Sequence, residues 1–230
     1  MPADLALVEA LRAALAAHAD PAKAAEQQRY MKSAMPYYGL GLPLTRSVTR
    51  PILRGYAPPG RAGHEATVRA LWDGAGHREE WYVAIALARH RAAAPWQDVA
   101  SLDLCRHLVV TGAWWDVVDE IAAHLVGGVL AGHRAAATPI LADWARGPDL
   151  WLRRTAVLAQ LRHGRDTDTD FLRSAIEANV ADSSFWLRKA TGWALRQYAR
   201  TDPDWVRAEV ARLGPRLAPL SRREALKHLR

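Results

Sequence analysis

The sequence predicts an all-α fold of stacked helix pairs, and three observations carry the prediction. Apolar residues recur at three- and four-residue spacing nearly everywhere, as a single buried helix face requires, while no convincing alternating strand occurs. Start and stop signals come in order along the chain: Asp20-Pro21, Gly147-Pro148-Asp149, Ser183, Asp202-Pro203 and the capping-box pattern Ser221 to Glu224. Paired helices, among them Trp72 to Arg91, Trp114 to Arg146 and Trp151 to Val180, recur at a spacing of about 35–40 residues, close to that of HEAT and armadillo units.

The elements follow in order. An Ala-rich start with Leu and Val at helical spacing predicts a helix over 3–18, and Asp20-Pro21 opens the next over 21–35. Periodicity places helices over 43–56, 64–74, 77–92 and 95–108, the last holding Cys105 in an apolar segment where a buried, inert thiol is expected. Residues 113–130 carry Trp114, Val117, Val118, Ile121 and Leu125 as one apolar stripe, read as core. Helices over 133–146 and 149–163 are separated by Gly147-Pro148-Asp149, and a further helix covers 168–180. Ser183 caps a helix over 183–200, Pro203 opens one over 203–213, and Ser221 caps one over 221–229. Only 54–63 reads as a substantial loop. With no linker to divide it, the chain is expected to be a single domain, 1–230, an α-solenoid of HEAT-like repeats with a concave basic groove.

Composition narrows the function. The 230 residues are half hydrophobic, enough for a sizeable core. Lys and Arg total 31 against 24 Asp and Glu, and the sequence pI is about 10.0, which favours a polyanionic partner. One cysteine cannot form an internal disulfide, which suits a reducing cytoplasm. No signal peptide, membrane-spanning run or metal-type Cys/His spacing occurs, so a cytoplasmic protein without membrane, metal or cofactor is expected.

The residues that suggest chemistry lie on three helices. Trp115 and Asp119 are four apart, so an indole and a carboxylate sit side by side off the core stripe. In a basic protein that acid is useful only opposite a cation or a developing positive charge. On 183–200, the stripe of Leu187, Ala190, Thr191, Ala194, Leu195 and Tyr198 is expected inside, and Lys189, Trp193, Arg196 and Arg200 form a basic, aromatic face. Trp151 and Arg154, three apart, form a third pair of Trp and charge. If these helices stack in order, Asp119, Trp115, Arg154, Trp193 and Arg196 can line one groove. Basic side chains there would hold phosphates and the indoles would meet nucleosides.

Several segments in order, covering nearly the whole chain, resemble the HEAT-like-repeat DNA glycosylases of the DNA alkylation repair family, the AlkD-like enzymes acting on 3-methyladenine and 7-alkylguanine. They include Arg29-Tyr30-Met31-Lys32, Leu71-Trp72-Asp73, Arg78-Glu79-Glu80, Trp114-Trp115-Asp116-Val117-Val118-Asp119, Trp151-Leu152-Arg153-Arg154, the stretch Lys189 to Ala199, and Ala218 to Ala225. The resemblance implies Asp119 as the catalytic carboxylate, with Trp115 and Trp193 contacting the nucleoside. It implies DNA contacts at Tyr30, Arg154 and Arg196, on double-stranded DNA with alkylated purines. Lys189 and Arg200, from the basic stripe, and Lys32 are expected to contact DNA as well, and a monomer is expected of a solenoid that wraps DNA. The chain departs from the family pattern at Leu44-Thr45-Arg46, where a Pro-Glu-Arg-like turn is usual. Two alternatives stay open: a non-catalytic protein that binds damaged or distorted DNA, and a HEAT-like scaffold for protein partners.

Overall fold

The computed structural model describes residues 2–229. Among these it contains 14 α-helices and no strand, the all-α architecture of an α-solenoid. No described helix is long and apolar enough to cross a membrane. The chain clusters into two compact units, Met1–Trp96 and Gln97–Arg230.

The first unit holds α1 (Leu5–Ala16), α2 (Pro21–Met31), α3 (Leu42–Arg54), α4 (Arg61–Asp73) and α5 (Arg78–Ala88). Leu11, Leu15, Leu71, Trp72 and Leu87 are fully buried at its centre. Each such side chain contributes about 1.5–3 kcal/mol relative to exposure. The start of α5 is ionic rather than apolar. Arg78, Glu79 and Glu80 are all buried. The Glu79 carboxylate accepts from the backbone N–H groups of Tyr38 (3.0 Å), Gly39 (2.9 Å) and Leu40 (3.0 Å), so it knits the loop between α2 and α3 to α5. Glu80 takes Arg12 at 2.7 Å and the Tyr38 hydroxyl at 3.1 Å.

The second unit runs through α6 (Leu102–Gly112), α7 (Trp115–Glu120), a π-helical segment (Ile121–Val126), α8 (Gly127–Gly132), α9 (Arg134–Arg146), α10 (Leu150–Leu158), α11 (Thr169–Glu177), α12 (Phe185–Tyr198), α13 (Pro203–Leu213) and α14 (Pro219–Ala225). Central α10 touches α6, α7, α9, α11 and α12. Asp149 caps it, accepting from the N–H groups of Trp151 and Leu152, as Gly147-Pro148-Asp149 predicts. Asp20 and Asp202 cap their helices in the same way. Cys105 is buried.

Three expectations are corrected. The helix expected over 95–108 is broken: Arg91–Trp96 and Val99–Ser101 are 3-10 turns and the α-helix starts only at Leu102. Pro95, which has no N–H to donate, sits inside the first turn, and the Asp98 side chain caps the second. Ser184 rather than Ser183 caps α12, accepting from Trp186 N–H. Ser221 is not a cap, because α14 begins two residues earlier at Pro219. Its hydroxyl instead donates to Arg188 O at 2.7 Å, and Glu224 turns toward α12.

That last contact fixes a close helix crossing. A Cβ on Gly192 of α12 would lie 2.6 Å from Glu224 Cβ and 2.8 Å from Ser221 O. Gly192→Ala would gain about 1 kcal/mol of helix propensity. It would lose more, since overpacking against backbone costs about 1–3 kcal/mol and more when nothing can yield. The expected outcome is a lower denaturant midpoint at unchanged m, read by urea unfolding.

Candidate active site

α6 ends on Ala113 in the left-handed region (φ 36°), a conformation that costs a non-glycine residue about 1–2 kcal/mol. This turn delivers Trp114 and Trp115 to the start of α7, and Asp119 follows one turn on. The core stripe is as expected from Val117 onward: Val117, Val118, Ile121 and Leu125 are buried. Trp114 is not part of that core. Its ring is half-buried and packs edge-on against Trp186 (centroids 5.1 Å) and at 6.0 Å from Trp151, with those two rings 5.6 Å apart. Three indoles from three parts of the chain thus form one cluster, and the indole N–H of Trp114 is enclosed without an acceptor.

Beside the cluster sits the ion pair that organises the site. Arg154 on α10 grips Asp119 with two parallel bonds, Nε to Oδ1 at 2.6 Å and Nη2 to Oδ2 at 2.7 Å. Its third nitrogen, Nη1, donates to Trp186 O at 2.5 Å, and its Cζ stands 5.9 Å from the Trp186 ring centroid. The guanidinium side chain is 3 % exposed and the Asp119 side chain 13 %, so the acid keeps one edge open while the base is sealed. Burial raises the Asp119 carboxyl above its usual range, Arg154 opposes that shift, and neighbouring Asp116 adds to it.

The helix changes character directly after Asp119. Ile121–Val126 is π-helical, a form usually found as a single wide turn and often next to functional sites. The segment ends at Gly127, where an added Cβ would lie 2.5 Å from Ala159 O. His163 Nε2 donates to Gly127 O at 3.0 Å. A glycine lets α8 press onto the end of α10, which anchors the helix that carries Asp119 to the helix that carries Arg154.

The other expected residues are placed as follows. Trp115 and Trp193 are both half-buried and lie outside the three-ring cluster. Lys189, Trp193, Arg196 and Arg200 stand off the buried stripe of α12, as the periodicity requires. Two of these cations are already matched: Glu224 binds Lys189 at 2.8 Å and also Arg196. Arg200 is exposed. In the first unit Tyr30 is 77 % exposed near the end of α2, and Lys32 caps that helix in the left-handed region (φ 51°). Arg154 is sealed, and each of its three nitrogens donates to a protein atom, two of them to Asp119. Trp186 is the residue that sequence reasoning missed, and it carried no helical-neighbour signal, because it joins the site through its carbonyl and through rings on other helices.

Comparison with known proteins agrees with this arrangement at the level of family and fold. None of the curated proteins matches the chain. A solved structure, named as a predicted DNA alkylation repair enzyme from Enterococcus faecalis, superposes with a TM-score of 0.83 at 29% identity, over 92% of this chain and 97% of that one. A family model described as DNA alkylation repair enzyme matches residues 11–229. A match over nearly the whole length shows that the chain belongs to the DNA alkylation repair enzyme family.

Proposed function

We propose that the protein is a DNA glycosylase that excises cationic N3- and N7-alkylated purines from duplex DNA, acting as a monomer, with Asp119 as the catalytic carboxylate. The observation that carries this reading is a buried carboxylate with one open edge, fixed in place by a sealed bidentate arginine. Such a group is preorganised: it need not reorient when positive charge appears beside it, and the dry surroundings strengthen its field. Alkylation makes the base cationic. When the bond from C1′ to the purine nitrogen breaks, the electron pair leaves with the base and neutralises it, so no general acid is required. Positive charge then builds on the deoxyribose, Asp119 stabilises it, and water adds at C1′ with loss of a proton. Purified protein incubated with duplex containing 7-methylguanine and 3-methyladenine should release free base. Absence of release would overturn the reading in favour of a non-catalytic DNA-binding role.

Trp115 and Trp193 supply electron-rich faces to the cationic sugar in this scheme. Both are half-buried, so truncation leaves the core in place. Trp115→Ala and Trp193→Ala should each slow base release by about 2- to 30-fold, the range a cation–π contact of 0.5–2 kcal/mol supports. Affinity for undamaged duplex should change less, because the cationic sugar exists only along the reaction. Single-turnover rates set beside binding isotherms separate the two effects.

A further inference from the structure

Helix α3 carries Arg46, Arg50 and Arg54 at i, i+4 and i+8, and all three are exposed. They lie within residues 27–64, a stretch without a single Asp or Glu. Several other arginines are matched to acids: Arg12 to Glu80, Arg153 to Asp182, Arg173 to Glu209, and Arg216 to Glu177. Among the described residues the three arginines of α3 have no ion-pair partner. Like charges at i, i+4 destabilise a helix by about 0.2–0.5 kcal/mol per pair, so this stripe is a standing cost within the free protein. The ordinary solvated helix face interleaves acids at that spacing; this one does not.

We infer that the Arg46–Arg50–Arg54 face of α3, in the first unit, is a backbone-binding surface for duplex DNA. Successive arginines are offset by about 6 Å along the helix, so the stripe spans about 12 Å. One strand of a duplex presents a phosphate about every 3.4 Å of its axis, so a strand alongside α3 offers at least three phosphates to three guanidinium forks. Such contacts give affinity and register without reading sequence. The inference rests on duplex DNA being the partner, and not on the chemistry at Asp119.

The test is the salt dependence of binding to undamaged duplex. Each neutralised phosphate contributes a slope of about −0.9 to log affinity against log salt, so Arg46→Ala/Arg50→Ala/Arg54→Ala should flatten the slope by about 2.7. Folding is not at risk, since exposed alanines favour helix. Arg→Lys at all three positions should keep most of the slope. A control triple, Arg106→Ala/Arg162→Ala/Arg165→Ala, removes the same charge from exposed sites in the second unit and should flatten it much less. Equal flattening in both triples would reduce the effect to net charge and overturn the inference. So would an unchanged slope in the α3 variant, while leaving the reading of the Asp119 site intact. Loss of binding to phosphatidylserine vesicles with an unchanged duplex slope would overturn it too, and would assign the stripe to a membrane surface. A wild-type protein with no affinity for duplex would instead sink the proposed function itself.

Discussion

Asp119→Asn should release alkylated purine at least on the order of 10²-fold more slowly than wild type, the scale for losing one preorganised electrostatic group. It should also weaken the fold. Arg154 is sealed against solvent and both carboxylate oxygens accept from it, so the neutral amide leaves a buried cation without its countercharge. Removing one partner of such a pair costs about 3–5 kcal/mol, and rates must be compared below the midpoint of the variant. A double variant, Asp119→Asn/Arg154→Met, separates the two consequences. It removes the orphaned charge and should recover much of the stability, yet it should stay as slow as Asp119→Asn. Recovery of excision along with stability would sink the mechanism. The pH profile gives a second check. Burial shifts the Asp119 titration upward, while the proposed reaction needs the ionised acid. Activity should therefore be lost, as pH falls, through a value above the ordinary carboxylate value of about 3.9. Asp116→Asn removes a like charge that raises Asp119, so its acid limb should move to lower pH with little loss of maximal rate.

Glu79→Ala should be among the most destabilising single changes in the first unit. It orphans the N–H groups of Tyr38, Gly39 and Leu40 together, and a buried donor left unsatisfied costs about 1–3 kcal/mol. The loop cannot simply move to find other partners. Gly39 has φ 91° and lies so close to α2 that a Cβ would sit 2.2 Å from Asp20 O. A loss of about 3 kcal/mol or more is expected in denaturant unfolding, with hydrogen exchange accelerated first at Gly39 and Leu40. Glu79→Gln keeps one acceptor oxygen and should lose markedly less. Equal losses for Ala and Gln would show that charge, and not acceptance, holds the loop.

Much of this architecture was legible in the sequence because its signals are local. The buried faces of α7 and α12, the Asp caps of α2, α10 and α13, and the juxtaposition of Trp115 with Asp119 all follow from spacing within one helix. What could not be read joins residues far apart. Arg154 carries a helical-neighbour signal for Trp151, but its partner lies 35 positions earlier in the chain. The Trp114–Trp151–Trp186 cluster needs three helices in place before its rings meet. Glu224 fitted a capping box perfectly well as sequence; Pro219, which can open a helix two residues sooner, decided otherwise. The π-helical turn after Asp119 also escapes a periodic reading, because one additional residue per turn leaves the apolar stripe nearly intact.

The Asp119–Arg154 pair also bears on how a duplex arrives. A lone carboxylate in the proposed reaction site would repel an incoming phosphate backbone from well beyond contact, out to the screening length of about 8 Å in physiological salt. Closed onto its arginine, the acid is half of a dipole whose field fades far faster with distance. The approaching polyanion therefore meets the net basic surface, and encounter rates should be almost indifferent to whether the Asp119–Arg154 pair is present or replaced by two neutral residues. The negative charge is felt at bond-making range alone, so in the proposed glycosylase the acid can assist departure of the base without slowing the search for it.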